Sequence, residues 1–367
     1  MNVLMLTHDF PPQILGGEGI FAGEIAARLS ARGIGIEVVA PDIPGASEHD
    51  RLLPFPVHRV AVVRANFLTR TVSFAWSSRR IVRGYPGDVL YALRPVVRAR
   101  QPVVSHFHVT RAGQARAAWR ADRPLVALAN ALLAPLDSLH ARRSAAVLAT
   151  ATTMRRELEC LGISLRRFAT VCNGVDTQRF NQSGRDGLRG ERLLFVGRLD
   201  ALKRIPDLLH AIASLAASFP EISLTIAGSG PEERRLLALG EQLGIGQRLR
   251  FAGQLPHESM PDLYRRHDVL VLPSAYESFG LTLLEAMACG TRALSSDACA
   301  ALGQPTYRAG DAQALAQLLE RVLREDPDGD PARSALEAAG LFGWDETATR
   351  VAAELAATLE DAGGETH

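Results

Sequence analysis

The sequence predicts an α/β fold made of two doubly wound domains with parallel sheets. Three observations carry that expectation. The chain has 367 residues, too many for one small module and about right for two domains of ordinary size. Short, wholly apolar runs alternate with stretches whose apolar residues recur at helical spacing, and this happens in two successive series. Between the series, residues 176–191 (DTQRFNQSGRDGLRGE) are polar and glycine-rich, which suits a linker.

In the first series, residues 3–6 form an apolar strand. A helix over 19–32 follows, with Phe21, Ile25 and Leu29 on one face and Gly33 as its stop, and then a buried strand over 36–39. Further strands are expected at 57–63, 103–107, 125–129, 145–149 and 168–171. Several are apolar throughout, as befits a parallel sheet covered on both faces. In the second series, strands are expected at 193–196, 224–227, 249–252, 269–272 and 293–295, with helices over 205–217, 259–266 and 281–289. Pro231 is read as the first position of another helix. Ligands of such sheets sit beyond the carboxyl ends of the strands.

The composition, 47% hydrophobic and 22% charged, excludes disorder, collagen and coiled coil. The net charge of +1 hides two asymmetries. Of 41 basic residues, Lys203 is the only lysine, so a Gly-Lys-Ser/Thr phosphate loop and a kinase-type strand lysine are both ruled out. Residues 1–175 carry 22 arginines against 12 acids, and residues 176–367 carry 19 basic against 28 acidic groups. Cys160, Cys172, Cys289 and Cys299 have neither C-x-x-C nor zinc spacing and are read as buried free thiols of a cytoplasmic protein. The N-terminus has no signal-peptide pattern, and no stretch is read as reaching the ~18–20 apolar residues of a membrane span, so any membrane contact is expected to be peripheral.

Candidate chemistry gathers in the loops after strands. Gly16-Gly17 precede a helix, where backbone N–H groups and the helix dipole favour an anion; a ligand-free loop explains the pair equally well. Gly228-Ser229-Gly230-Pro231 lacks the third glycine of a dinucleotide fingerprint, and a tight strand-to-helix turn is the simpler reading. Arg198 and Lys203 follow the strand at 193–196 and can reach the sheet edge, where a planar fork and a compact ammonium suit phosphate oxygens; a solvated lysine is the alternative. Glu277 and Glu285 are acceptor-only groups suited to a vicinal diol, although spacing alone favours acids placed at a helix N-terminus. His106 and His108 share one side of a strand end with no third metal ligand nearby, and hydrogen-bonded sugar contacts or satisfied core residues explain them equally well; Asp326, Asp328 and Asp330 lack the glycine placement of a calcium loop, so no metal is expected. Residues 51–123 hold 14 arginines against two acids, interleaved with Phe67, Phe74, Trp76, Tyr85 and Trp119. Such a run suits anionic lipid, a phosphorylated acceptor or nucleic acid, and a solvated arginine-rich face explains it as well.

In this order and at these positions the motifs resemble the retaining glycosyltransferases of family 4 (glycosyl transferases group 1), which have the GT-B fold of two Rossmann-like domains facing a cleft. The carriers are Gly16-Gly17, His106-x-His108, Asn173-Gly174-Val175-Asp176, Phe195-Val196-Gly197-Arg198-Leu199 with Lys203, Ala227 to Pro231, and Pro273-Ser274 leading to the Glu277–Glu285 block and Ala286-Met287-Ala288-Cys289-Gly290. The resemblance implies an acceptor-side domain over 1–175 and a nucleotide-sugar-binding domain over 176–345, with the final helix, 346–359, crossing back to the first. It implies that Glu285 binds the nucleotide ribose, that Glu277 contacts the donor sugar, and that Arg198 and Lys203 neutralise the diphosphate. Phe279, Gly280 and Leu281 join the donor site, Gly16 and Gly17 close over the diphosphate and sugar, and His108, with His106 beside it, touches the transferred sugar. The implied reaction moves a hexose-type sugar, with retention and without metal or other cofactor, to an acceptor that can be anionic or lipid-linked. Nucleic acid is not an expected partner, and an anionic membrane surface is a candidate one. Two alternatives stay open: a GT-B-type nucleotide-sugar epimerase or hydrolase, and a non-catalytic nucleotide-sugar binder. After Ser295-Ser296-Asp297 the family continues with a glycine pair and a glutamate; here residues 298–304 are short and lack both, which leaves sugar specificity open.

Overall fold

A computed structural model describes residues 1–12, 14, 16–63, 67–93, 99–121, 123–185, 191–299, 302–324 and 342–364. These divide into two compact units, one of residues 1–114, 128–174 and 344–367 and one of residues 115–127 and 175–343. The acidic stretch 325–330, residues 186–190 of the expected linker and the Phe67 side chain lie outside the described residues.

In the first unit, β1 (Asn2–Leu6), β2 (Gly35–Pro41), β3 (Val57–Val60), β4 (Val89–Ala92), β5 (Val103–Phe107), β6 (Ala146–Ala149) and β7 (Phe168–Thr170) form one parallel sheet in the order β3-β2-β1-β4-β5-β6-β7. Val3 to Leu6 and Val89 to Ala92 are fully buried, as central strands covered on both faces require. The first unit also holds α1 (Gly17–Ala31), α2 (Ala46–Asp50), α3 (Phe67–Gly84) and α6 (Thr153–Glu159), while α4 (Arg111–Arg120) and α5 (Pro124–Arg142) share residues 115–127 with the second unit.

Two expectations fail here for one reason. Residues 125–129 are not a strand but the start of α5, and that helix, 19 residues from Pro124 to Arg142, is long and apolar enough by length and composition to cross a membrane. A short apolar run has no period that separates a buried strand from a helix. Leucine and alanine continue to residue 141 and Pro124 takes the first helical position, so the helix wins. The four-residue strand β4 was not anticipated, and of the four cysteines expected to be buried only Cys289 and Cys299 are: Cys160 at the end of α6 is exposed and Cys172 is half-buried.

The second unit has β8 (Arg192–Val196), β9 (Ser223–Ala227), β10 (Leu249–Gly253), β11 (Val269–Leu272), β12 (Arg292–Ser296) and β13 (Thr306–Tyr307), all parallel, in the order β10-β9-β8-β11-β12-β13. Its helices are α7 (Ile205–Leu215), α8 (Glu233–Gln242), α9 (Met260–Arg265), α10 (Leu281–Ala288) and α11 (Ala312–Arg324). Pro231 lies in the turn before α8 rather than at its first position. From β8 the chain runs outward on one side to β9 and β10, then returns to place β11 on the other side. The loops after β8 and β11 therefore meet at the carboxyl edge where strand order reverses.

Helix α12 (Trp344–Gly364) belongs to the first unit and packs on α1. Asp345 meets Arg28 at 3.3 Å, and Arg167 reaches Glu354 at 2.8 Å and Asp361 at 3.0 Å. Gly174 lets the helix start close by, since a Cβ there would lie 2.6 Å from the Trp344 backbone.

Gly228 and Gly230 are close-approach residues. A Cβ at Gly228, where φ is +137°, would lie 1.9 Å from the Gly197 carbonyl oxygen, and one at Gly230 would lie 2.3 Å from that of Leu199. Their absence lets Leu199 N–H donate to Ser229 O at 3.0 Å and Glu232 N–H to Leu199 O at 3.1 Å. The tight-turn reading of this motif holds, and the turn braces the loop that carries Arg198. Gly228→Ala is expected to cost about 1–3 kcal/mol of unfolding free energy, measured by urea denaturation, because backbone must move to admit the methyl group.

Candidate functional site

The second unit assembles its chemistry at the edge where β8 and β11 adjoin. After β8, the Asp200 carboxylate accepts the Leu202 N–H at 2.9 Å and so starts the single 3₁₀ turn Ala201–Lys203. Its other oxygen accepts Arg198 Nε at 2.8 Å, holding a guanidinium that is otherwise 73% exposed. The loop after β11 is tied to that turn by Ala275 N–H donating to Leu202 O at 2.7 Å.

Across this tie, Lys203 Nζ donates to the Glu277 carboxylate, which Ser274 Oγ also approaches at 3.4 Å. Burial pulls the Lys203 ammonium down, but Glu277, with Asp200 adding to it, outweighs burial and holds its pKa above the ordinary lysine value. The chain's one lysine is therefore a fixed, paired cation, not a solvated surface group. Its three N–H donors allow it to serve Glu277 and a second acceptor together.

Glu285, on α10, is differently placed. It is buried, and each oxygen has a protein donor: His257 Nε2–H at 2.8 Å and the Tyr264 hydroxyl at 2.7 Å. A carboxylate only accepts, so both partners must donate. Burial first, then Glu285 itself, drives the Tyr264 phenol well above its ordinary pKa, so it keeps its proton. Phe180 packs against both donor rings, at 5.4 Å from His257 and 6.2 Å from Tyr264. With one donor per oxygen, the carboxylate retains lone pairs for a diol.

Gly280 opens α10 in the left-handed conformation, φ +81°, and a Cβ there would strike Leu283 at 2.8 Å and Cys299 Sγ at 2.9 Å. Leu281 is the first helical residue. Phe279 turns into the core against Phe342, 5.6 Å away, so its ring is a packing element. In the short segment after Asp297, the buried Gln304 amide donates to Ser295 Oγ at 2.6 Å and its oxygen accepts the Leu302 N–H at 3.2 Å.

In the first unit, the loop after β1 folds back on α1. The Asp9 carboxylate accepts the Gly16 N–H at 2.9 Å, so a protein anion already sits at the helix start, where an anion was expected. Gly16 is extended and open, whereas Gly19 is the close-approach glycine: a Cβ there would lie 2.7 Å from the Asp9 carboxyl carbon, so the carboxylate would have to shift. Gly17 is the first residue of α1 and exposed.

The two histidines of β5 part company. His106 is fully buried; its Nε2–H donates to Val171 O at 3.2 Å, so its Nδ1 accepts the Tyr91 hydroxyl at 2.6 Å. Both nitrogens are spent, and the sugar contact implied for His106 gives way to a structural role. Burial depresses its pKa to about 3. His108 stacks on it at 4.8 Å and meets the edge of Phe21 at 4.6 Å; it is only half-buried and thus the more accessible of the pair.

Sequence reading missed Asp200, Tyr264, His257 and Gly19. A polar residue just before a helical turn was the available sign for Asp200; no local pattern marks the other three. The basic run 51–123 is also partly internal. Arg59 is bound to Asp50 and Pro11 O, Arg70 donates to His8 O, and Phe74 and Tyr85 are core residues, while Trp76, Trp119 and the arginines at 51, 80, 83, 100, 116 and 120 are exposed.

Among known proteins, residues 15–179 match the family model described as Glycosyltransferase Family 4, and residues 177–339 match that described as Glycosyl transferases group 1. A glycogen synthase of Mycobacterium tuberculosis is 28% identical over 96% of this chain and 94% of its own length. Sucrose-phosphate synthase from Thermosynechococcus elongatus superposes with a TM-score of 0.79 at 21% identity, covering 98% of this chain and 99% of that one. Anabaena HepE, solved with UDP and glucose, gives 0.74 at 19% identity, covering 97% and 100%.

Two measurements check the site. Between pH 6.5 and 3 the unfolded chain protonates His106 and the folded one does not, so this residue's contribution is present above pH 6.5 and falls as pH drops through that window. The slope is at most ~1.4 kcal/mol per pH unit for one group. Urea stability of His106→Asn should be flatter than wild type over that range. Tyr264→Phe removes a buried donor to a carboxylate and should lower stability by about 1.5–3 kcal/mol, read in the same assay.

Proposed function

Because this chain belongs to the glycosyl transferases group 1 family and is a glycosyltransferase of GT-B fold, we propose that it transfers a hexose-type sugar from a nucleotide-diphosphate sugar, with retention of anomeric configuration. One observation carries the reading furthest. The sole lysine is held against Glu277 at the strand-order reversal of the second unit, where phosphate-bearing ligands of such sheets bind.

In this reading Lys203 and Arg198 meet the diphosphate. As the bond between the sugar's anomeric carbon and the phosphate oxygen breaks, negative charge grows on the departing diphosphate, and a fixed ammonium stabilises it without solvent reorganisation. Glu277, steadied by Lys203, accepts from sugar hydroxyls, and Glu285 accepts from the ribose diol. Phe279, Gly280 and Leu281 contribute backbone at the start of α10, where helix N–H groups lack intrahelical acceptors. Gly16, Gly17 and His108 are proposed as the first unit's contacts to the donor. The acceptor hydroxyl forms the new bond on the same face of the sugar, and its proton passes to the oxygen of the departing diphosphate. These cations supply the charge stabilisation, so chelation of divalent metal is expected to leave the rate unchanged. HepE, solved with UDP and glucose, supports a uridine donor as the first to try. The exposed arginines of α3 support an anionic or lipid-linked acceptor presented at a membrane surface.

The test is a thermal-shift and turnover panel of UDP-, GDP- and ADP-sugars. One of them should stabilise the protein, and Lys203→Ala and Glu285→Ala should each weaken its binding about tenfold or more, as expected for losing a charged hydrogen bond. Product NMR should show the donor's anomeric configuration. Absence of binding and turnover across the panel, or unchanged affinity in both variants, would overturn the proposal.

A further inference from the structure

Helix α5 is long and apolar, and the described fold leaves it largely uncovered: only 22% of its apolar window is buried. Leu125, Leu128, Leu132 and Leu139 are 82%, 58%, 71% and 45% exposed. With the exposed Pro135 they recur at alternating spacings of three and four, so they lie on one face, a stripe about 21 Å long at 1.5 Å per residue. Exposed apolar surface of this extent marks a contact with something outside the chain.

The charges beside it indicate what that is. The helix ends in Arg142 and the next residue is Arg143, both exposed. Among the described residues neither has an ion-pair partner, and Arg142 donates only to Ser138 Oγ and Gly162 O. Both line a groove of about 840 Å³ whose lining also includes Leu136, Leu139 and Arg166, together with Arg167, which is already paired with Glu354 and Asp361. The helix's one acid, Asp137, does not neutralise them: it accepts the Arg111 N–H at 2.5 Å. A cationic end with an apolar stripe and no carboxylate on the same face suits an anionic, apolar-cored partner. A second copy of this face would bring the same arginines without acids to match them.

We propose that the outward face of α5 docks on an anionic phospholipid surface, with its leucines at the headgroup boundary and Arg142 and Arg143 on lipid phosphates. The proposal rests on the membrane-surface reading above and moves the main contact from α3 to α5. An amphipathic helix lying in the interface gains apolar burial and electrostatic attraction together, so both halves of the feature should be required.

Flotation with phosphatidylcholine vesicles, with and without phosphatidylglycerol, tests it across a salt series. The full-length protein should float with phosphatidylglycerol vesicles and less so as salt rises. Leu128→Ser/Leu132→Ser should reduce the bound fraction about tenfold or more at any salt. Arg142→Glu/Arg143→Glu should abolish the preference for phosphatidylglycerol. All four positions are exposed, and circular dichroism should show both variants folded with unchanged donor affinity. Flotation that survives both variants but is lost in Arg80→Glu/Arg83→Glu would overturn the α5 assignment and keep the membrane reading. Absence of flotation at low salt would overturn both while leaving sugar transfer untouched. A concentration-dependent dimer in sedimentation that Leu132→Ser dissociates, without vesicle binding, would assign the face to a second copy and overturn the proposal.

Discussion

The reversal of strand order at β8 is the constraint on which the second unit's chemistry depends. Because β9 and β11 flank β8 on opposite sides, the loops leaving β8 and β11 emerge next to each other with no helix between them. The hydrogen bond from Ala275 N–H to Leu202 O fixes their separation, and Lys203 and Glu277 then face each other across it. The paired glycines at 228 and 230 serve the same end from the β9 side, letting backbone pack directly on the Arg198 loop. A half-buried ammonium is costly alone; beside a carboxylate it is a stable cation that keeps hydrogen-bonding capacity in reserve.

The two glutamates show how environment separates identical side chains. Glu277 is held by a cation and lies in a loop, so a ligand anion competes with it for Lys203. Glu285 is held by two donors, His257 and Tyr264, and is buried in a helix, so no cation needs to be displaced when a diol arrives. The same division holds for the histidines of β5. His106 is neutral, doubly bonded and structural, while His108, two residues on, stacks against it and is only half-buried. Position along the chain decides this, because β5 is buried through its last residue, Phe107, which pairs with Ala149, and His108 follows the strand.

Arginine in this chain follows a comparable split between interior and surface. Arg59 and Arg70 are absorbed into loop architecture and Arg167 anchors the last helix, whereas Arg80, Arg83, Arg142 and Arg143 project outward. A count of charge over residues 51–123 merges the two classes. Only the outward group can act on a partner.

The amino-acid sequence by itself determined the α/β alternation, most strand positions, the family resemblance, and the identity of Lys203, Glu277, Glu285 and Arg198 as the groups to watch. These rest on local periodicity and on motifs contiguous in the chain, which a linear text carries. The tertiary structure alone decided that 125–129 is helical, that Asp9 lies at the start of α1 close against Gly19, and that Tyr264 and His257 hold Glu285. It also decided that Lys203 is paired and that the leucines of α5 face outward. Each of these depends on which distant residues strand order and packing bring within hydrogen-bond or van der Waals range. Tyr264 lies 21 residues from Glu285, and Lys203 lies 74 from Glu277. Spacing along the chain holds no record of such contacts until the sheet sets them side by side.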